Sequence, residues 1–388
     1  MKDVVYLDNN ATTRPAPEVV DSMRPYFETE WGNPSSMHSF GGNVRHAVDE
    51  AREKVAAFLG AEHPSEIIFT GCGSESDNLA IIGAADAMEG RPQVITTRVE
   101  HAAVLGACHY LEDHGYNVSK MEVDEAGLLD PGRLRELMPA TGKAVVSVMW
   151  ANNETGVLFP VAEVGEIVRA SGGVLHVDAV QMAGKLPIRV RELPIDMLAI
   201  SGHKLYAPKG VGALYVRRGT KIAPLIHGGH QERNRRAGTE NVPYVVALGT
   251  ACELAAKRME EDAARERRLR DRLEAGILAT CKGARVNGDR ERRLPNTANV
   301  GFEFVEGESI LLMLDDAGIC VSTGSACASG SLESSHVLRA MNVPGTVLHG
   351  SIRFSLGRYN DDADVDRVLE VLPGIIDRLR ELSPFAPD

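Results

Sequence analysis

The chain has 388 residues, and 54 acidic against 42 basic side chains give it a formal net charge of −12. Because single hydrophobic cores stop growing at roughly 250–300 residues, we expect two domains, or one large domain with an appendage. The acidic balance excludes the basic footprint typical of nucleic-acid or membrane-surface binding. No apolar run approaches the roughly 18 residues of a membrane span. The acidic N-terminus is unlike a signal peptide, so we expect a cytoplasmic protein.

Short apolar runs alternate with longer amphipathic stretches through the first part of the chain. The runs predict buried strands at Glu66–Thr70, Gln93–Thr97, Ala144–Trp150, Val174–Ala179, Met197–Ser201 and Gly212–Arg217. The stretches between them predict helices at Val44–Leu59, Glu75–Met88, Ala102–His114 and Val161–Ala170. This alternation is typical of an α/β fold, so we expect a largely parallel sheet covered on both faces.

The pattern changes after Tyr244, where one helical pattern without proline runs from Val245 to Leu278. It is too long for an ordinary domain helix. We interpret it as a connector into a smaller C-terminal domain, which ends in a helix near Asp361–Leu382. The charged stretch Lys257–Arg272 predicts a solvated face of the connector.

Two polar residues stand near the ends of neighbouring predicted strands. Lys204 follows the run Met197–Ser201 on a turn that contains glycine, and it is either a surface lysine or a Schiff-base lysine. Asp178 ends the run that contains His176, and it is either a helix cap or the partner of a buried cation such as a protonated pyridine nitrogen. Open α/β sheets bind their ligands at this edge.

The turn Gly71–Asn78 (GCGSESDN) follows another strand and precedes a helix. It is either a helix cap without a ligand or a phosphate cradle made of backbone N–H groups. It matches neither a Walker loop nor G-x-G-x-x-G. His101 and Asn153 also follow strands, while Arg353 alternates with apolar residues and suits either a carboxylate clamp or a structural ion pair.

The six cysteines form no C-x-x-C motif and no zinc-ligand spacing, so we expect neither a disulfide scaffold nor a metal site. Cys327 stands among small and polar residues, which predicts an exposed loop and a candidate nucleophile. Cys320 is expected to be a buried strand cysteine. We interpret the other four as structural: Cys72, Cys108, Cys252 and Cys281.

These strand ends carry a phosphate-type turn, a histidine, an asparagine, an aspartate with a glutamine, and a lysine. Together they suit the phosphate, the ring nitrogen and the aldehyde of pyridoxal 5′-phosphate (PLP). Here the chain closely resembles the cysteine desulfurases of the NifS/IscS group, among the class V aminotransferase-like, fold-type I PLP enzymes. The motifs that carry the resemblance over nearly the whole chain are YLDNNATT, GNPSSMHSFG, GCGSESDN, VEHAAVL, WANNETG, HVDAVQ, SGHKLYAPKGVGALY, GGHQERNRRAGTEN, RLPNTANV, TGSACASGSLESSHVLRAM and HGSIRFSLGR.

The resemblance implies a fold-type I architecture. A large domain of residues 15–257 holds a mainly parallel seven-stranded sheet and binds PLP. A smaller α/β domain consists of residues 1–14 and 258–388 and carries the loop with Cys327. The family also implies a homodimer, with L-cysteine as substrate and an iron–sulfur scaffold or another sulfur-acceptor protein as partner.

The resemblance also implies catalytic roles. Lys204 holds PLP as a Schiff base and removes the substrate's α-proton, and His101 stacks on the ring. Asn153 and Arg353 bind the substrate carboxylate. Cys327 attacks the substrate sulfur, which gives L-alanine and a persulfide.

Further residues are implied to hold the cofactor. Asp178 pairs with the ring nitrogen and Gln181 bonds the phenolic oxygen, while Thr239 reaches the phosphate from the partner subunit. The implied cofactor-binding set is Gly73, Ser74, His101, Asn153, Asp178, Gln181, Ser201, His203, Lys204 and Thr239.

Two departures and two alternatives accompany this interpretation. Ser74 stands where many relatives have threonine, and Ser334 replaces a frequent proline. WANNETG and RRAGTEN are more similar to the nitrogenase-associated branch than to the housekeeping one. The enzymatic alternative is a selenocysteine lyase or another class V PLP enzyme. A cofactor-free adaptor is the non-enzymatic one, which the pair of Lys204 and Asp178 argues against.

Overall fold

The computed structural model describes residues 4–140, 142–323 and 334–384. Its helices are α1 Pro17–Met23, α2 Pro25–Glu28, α3 Ser39–Leu59, α4 Gly73–Ala87, α5 Ala102–Asp113, α6 Pro131–Leu137, α7 Val161–Ser171, α8 Val242–Thr280, α9 Gly307–Asp316, α10 His336–Ala340, α11 Gly345–Leu348 and α12 Asp362–Leu382. Its strands are β1 Val5–Tyr6, β2 Ile67–Thr70, β3 Gln93–Thr97, β4 Val118–Met121, β5 Ala144–Met149, β6 Val174–Asp178, β7 Met197–Ser201, β8 Gly212–Val216, β9 Ala284–Val286, β10 Thr297–Phe302, β11 Ile319–Cys320, β12 Ser322–Thr323 and β13 Ser351–Ser355.

The apolar runs of the first part of the chain form a seven-stranded sheet in the order β2-β8-β7-β6-β5-β3-β4. Its neighbours from β7 to β4 are parallel, and only β8 runs antiparallel to its two neighbours. The predicted fold class, α/β with a mainly parallel seven-stranded sheet, is therefore confirmed.

Both faces of this sheet are covered, as the alternation of strands and helices predicts. Because successive side chains of a strand point to opposite faces, Ile67 and Phe69 of β2 join one hydrophobic core and Ile68 joins another. The first core includes residues of α3, α7 and α8. The second lies under α4 and α5, where Ile81 and Val104 are fully buried.

The C-terminal part has its own sheet, a four-stranded antiparallel one in the order β12-β13-β10-β9. A separate hydrophobic core joins this sheet to α9 and α12, and it includes Val5 of β1 and the neighbouring Leu7. The boundaries that the resemblance implies, residues 1–14 and 258–388 for one domain and 15–257 for the other, stay a prediction, and Leu294, Val337 and Val347 of the C-terminal part pack in the first core of the large sheet.

Helix α8 is continuous over 39 residues and contributes to both parts. Leu248 packs in the core of the large sheet, whereas Leu273 packs in the C-terminal core. The prediction of a solvated face over Lys257–Arg272 is wrong for part of that stretch, because Asp262, Glu266 and Arg270 are buried. Buried charges need partners, and Asp262 meets the Arg358 guanidinium at 2.8 Å.

None of the helices in the described residues combines the length and the apolar character needed to cross a bilayer.

Candidate active site

A cavity of about 400 Å³ lies at the carboxyl ends of β6 and β7, beside the N-terminus of α4. Most of its lining residues have polar or charged side chains, and chain segments from both parts of the molecule reach it. It is lined by Asn10, Ala11, Cys72, Gly73, Ser74, Asp77, His101, Met149, Ala151, Asn153, Asp178, Val180, Gln181, Ser201, His203, Lys204 and Arg353.

The parallel sheet explains why Asp178 and Lys204 meet here. Asp178 is the last residue of β6 and pairs in register with Ala199 of β7. After β7 the chain turns through a short 3-10 helix that ends at Lys204. The Lys204 amine is half-buried and donates hydrogen bonds to the backbone carbonyls of Asn10 and Ala11, the latter at 2.6 Å. Lysine and aspartate thus lie at one edge of the sheet.

The second wall of the cavity is the N-terminus of α4. Cys72 is the N-cap residue and Gly73 begins the helix. A Cβ atom on Gly73 would lie 2.9 Å from Val180 Cγ2 and 3.3 Å from Ser201 Cβ, so only glycine lets these segments approach. The N-terminal end of the helix and the hydroxyl of Ser74 suit an anion such as phosphate.

Asp178 forms the floor of the cavity and is buried. Its Oδ1 accepts a hydrogen bond from the backbone N–H of Val180 at 2.9 Å. Burial raises the pKa of Asp178, and the nearby His101 and Lys204 act in the opposite direction. A cationic group in the cavity would stabilise the ionised carboxylate in the same way. Beside it, the Gln181 amide donates to the Asn10 carbonyl at 3.0 Å.

Two histidines line the cavity. His101 caps α5, where its Nδ1 accepts from the backbone N–H of Ala103 at 3.2 Å. Burial lowers the pKa of His101. Burial also lowers the pKa of His203 to about 4, and the positive charge of Lys204 acts in the same direction. An uncharged imidazole can stack on an aromatic ring without adding a positive charge beside Lys204.

Arg353 of β13 reaches the cavity from the C-terminal sheet. Its Nη2 lies 2.7 Å from Asp8 Oδ1, and its Nη1 donates to the backbone carbonyl of Asn153 at 3.1 Å. The structural ion pair considered from the sequence is therefore present. The guanidinium also lines the cavity, and a guanidinium carries five N–H donors. A second carboxylate could therefore bind beside Asp8.

One predicted site residue lies away from the cavity, and another lies outside the described residues. Thr239 is exposed and is not among the residues that line the cavity. Its role stays a prediction, since the family assigns it to the partner subunit. Cys327 lies outside the described residues, and so does its loop.

Sequence reasoning missed several residues of the cavity. Asn10 belongs to a motif that carries the resemblance, but its carbonyl, which accepts from Gln181 and Lys204, leaves no signal in a side-chain pattern. Cys72, interpreted from the sequence as structural, caps α4 through its Sγ, which accepts from the Glu75 backbone N–H at 3.4 Å, and it is also exposed at the cavity. Asp77 had a signal, since it is an acidic residue one turn before the apolar Ile81 of α4.

Glu100 lies fully buried just before His101 and has an unusual titration. Burial raises its pKa from the ordinary 4.5 to about 8, although hydrogen bonds from the Thr97 hydroxyl and the Met149 backbone N–H act to lower it. The folded chain therefore holds a proton between these pH values that the unfolded chain releases, so the free energy of unfolding falls as pH rises through this window. Burial raises the pKa values of Glu154 and Glu266 to about 7, which adds a fall of the same sign.

We expect Glu100→Gln to reduce the decrease in the free energy of unfolding that accompanies rising pH, because glutamine does not titrate. Denaturant or thermal midpoints measured at intervals between pH 5 and 9 should decline less in the variant than in the wild type. Glu122→Gln is the matched control, since Glu122 is exposed. Equal declines in all three proteins would contradict a buried, protonated Glu100.

The residues of the cavity fit PLP by their chemistry. A lysine amine suits the aldehyde, the N-terminus of α4 suits the phosphate, and a buried carboxyl suits the ring nitrogen. A side chain at residue 73 would fill space next to Val180 and Ser201 that glycine leaves free at that helix end. A cavity of about 400 Å³ is large enough for a small aromatic cofactor.

Comparisons with known proteins agree with this chemistry. The family model of class V aminotransferases matches residues 5–368. A "Cysteine desulfurase" of Trichormus azollae is 57% identical over 386 residues, which cover 99% of this chain and 96% of that protein. The "Cysteine desulfurase NifS" of Azotobacter vinelandii is 54% identical over 381 residues, which cover 98% of this chain and 94% of that protein.

Solved structures give the same result. A "NIFS-LIKE PROTEIN" is 40% identical with a TM-score of 0.91 and covers 97% of this chain and 100% of its own. The structure named "SspA in complex with cysteine" is 34% identical with a TM-score of 0.80 and covers 92% of this chain and 99% of its own. The chain belongs to the class V aminotransferase family, in the group of the cysteine desulfurases.

Proposed function

We propose that the chain uses PLP to convert L-cysteine to L-alanine and transfers the sulfur to Cys327 as a persulfide. The observation that carries the proposal is one cavity that joins the Lys204 amine, the Asp178 carboxyl group and the N-terminus of α4. When bound, PLP supplies an aldehyde for the amine and a ring that takes up electrons from the substrate's α-carbon.

The chain's own residues divide the work of binding. Gly73 and Ser74, at the start of α4, would hold the phosphate together with Ser201 and His203, which also line the cavity. Asp178 would keep a proton on the ring nitrogen, because a buried carboxylate is stabilised by an adjacent cation.

A second group of side chains would act on the ring and on the substrate. Gln181 would bond the phenolic oxygen and neutral His101 would cover the ring. Asn153 and Arg353 would orient the substrate carboxylate, for which the guanidinium keeps donors beside its bond to Asp8. The charge of the substrate would thus be fixed at the end of the cavity formed by the C-terminal sheet.

Proton transfer would fall to Lys204. An amine with a lone pair accepts a proton, and the cationic form does not. The carbonyls of Asn10 and Ala11 accept hydrogen bonds from this amine and so fix its position at the mouth of the cavity. There it would remove the proton on the α-carbon.

Sulfur transfer would be the task of Cys327. The thiolate attacks the substrate sulfur, and an S–S bond forms while the C–S bond breaks. The substrate carbon keeps the electron pair of the broken bond and takes a proton, which yields L-alanine. The persulfide would then pass its sulfur to an acceptor such as an iron–sulfur scaffold, including one that serves nitrogenase. The chain would act in the cytoplasm as a homodimer, in which Thr239 reaches the phosphate bound by the partner subunit.

The test is reconstitution of the purified protein with PLP, followed by incubation with L-cysteine or L-selenocysteine. We expect a yellow protein that forms one L-alanine for each sulfur released from cysteine. A protein that cannot bind PLP would overturn the proposal. Turnover of selenocysteine without turnover of cysteine would favour the selenocysteine lyase instead.

A further inference from the structure

Three carboxyl groups lie close together at the cavity, two of them, those of Asp77 and Asp178, in its lining. Asp77 belongs to the first turns of α4, Glu100 to the loop after β3, and Asp178 to the end of β6. All three side chains are buried, and Asp178 and Glu100, when ionised, each raise the pKa of Asp77. Three anions cannot be buried side by side without compensating cations, so protons must neutralise part of the cluster.

Asp77 has one close neutral neighbour. Its Oδ1 lies 3.5 Å from His176 Nε2, and among the described residues neither buried atom has a hydrogen-bond partner. The other ring nitrogen of His176, Nδ1, lies 2.9 Å from Ser147 Oγ. Two unsatisfied buried polar atoms at this separation need only a small adjustment to form one hydrogen bond, provided that a proton lies between them.

The proton can lie in two places. If His176 Nε2 holds it, Asp77 is an anion next to Asp178. If the Asp77 carboxyl group holds it, both residues are neutral, and His176 Nδ1–H donates to Ser147. Burial lowers the pKa of His176 to about 3 and raises the pKa of Asp77 far above its usual range. The lowered pKa argues against a cationic His176, and the raised pKa of Asp77 favours the arrangement in which the carboxyl group holds the proton.

We propose that Asp77 is a positioning residue, a neutral acid whose O–H donates to His176 Nε2, so that Asp178 is the only carboxylate facing the ring nitrogen of the cofactor. This inference rests on the proposed function. A second carboxylate beside Asp178 would share a proton with it and compete with the ring nitrogen for that proton. The titratable groups around the pair Asp77 and Asp178 are Cys72, Glu100, His101, His176 and Lys204.

Two substitutions separate the neutral acid from a carboxylate. Asp77→Asn retains a neutral N–H donor of the same shape, whereas Asp77→Leu has no donor. With PLP labelled with ¹⁵N at the ring nitrogen, we expect Asp77→Asn to leave the ¹⁵N shift and its pH profile unchanged. Asp178→Asn should move the shift to that of an unprotonated pyridine. A changed shift in Asp77→Asn would overturn the proposal.

Infrared spectroscopy tests the proton on Asp77 directly and needs no cofactor. The wild-type minus Asp77→Asn spectrum should contain the carbonyl stretch of a protonated carboxylic acid. The wild-type minus Asp86→Asn spectrum should lack this band, because Asp86 on α4 is exposed. Loss of the His176 Nδ1–H tautomer in Asp77→Leu, seen by histidine ¹⁵N NMR, would support the hydrogen bond. Should Asp77→Leu not fold, the asparagine variant still decides.

The two proposals fail in different ways. A chain that shows the acid band but binds no PLP would contradict the proposed function and leave Asp77 a neutral acid. A chain that binds PLP but lacks the acid band would overturn the role of Asp77 alone.

Discussion

Replacing Lys204 by alanine is expected to lower the rate of alanine formation from cysteine on the order of a thousandfold or more. The substitution removes both the amine that would hold PLP and the base that would move the α-proton, and a positioned base alone contributes about 10²–10⁴. Alanine production measured by chromatography checks the rate. Mass spectrometry after borohydride reduction should find PLP on the peptide that contains Lys204 in the wild type and on no peptide of the variant.

Lys221→Ala is the matched control, because Lys221 is an exposed lysine on the segment after β8. It should keep the wild-type rate and the reduced adduct at Lys204. Wild-type turnover by Lys204→Ala would contradict the assignment of the amine, and an adduct on another lysine would place the cofactor elsewhere.

Replacing Cys327 by serine is expected to abolish the release of alanine from cysteine without changing the visible spectrum of bound PLP. A hydroxyl group is not a nucleophile for sulfur at neutral pH, whereas a thiolate is. Mass spectrometry of the wild type, quenched during turnover, should find one added sulfur on Cys327 and none elsewhere.

Cys320→Ser is the control for this experiment. Cys320 is a half-buried strand residue whose thiol pKa is raised by burial, so it should be poorly reactive. The spectrum and the rate of Cys320→Ser should match the wild type. Undiminished alanine release by Cys327→Ser would contradict the persulfide route and favour the selenocysteine lyase, since elimination of selenium need not use a protein thiol.

Much of the large sheet could be predicted from the sequence because its strands are fully buried and therefore read as continuous apolar runs. The exception is β4, with the sequence VSKM, which lies at the sheet edge and is mostly half-buried. Ser119 and Lys120 interrupt the apolar run that would otherwise predict this strand. Long helices were found by periodicity, with ends within a few residues of those in the structure.

The site was only partly predictable for a different physical reason. Residues at strand ends, such as Asp178 and Lys204, could be found because parallel strands bring their carboxyl ends to one edge. The carbonyls of Asn10 and Ala11 depend on the path of the N-terminal segment, which no local pattern encodes. Asp77 required knowledge of which face of α4 is buried.

Helix α8 gives the molecule a mechanical property. At 1.5 Å per residue, its 39 residues make a rod of about 58 Å. Helix α8 contributes Leu248 to one core and Leu273 to the other, so the unfolding of either core removes packing contacts from a helix that the other core also needs. The two halves should therefore lose structure in one cooperative step, and severing the chain at residue 257 would split the rod and release neither half as an intact folding unit.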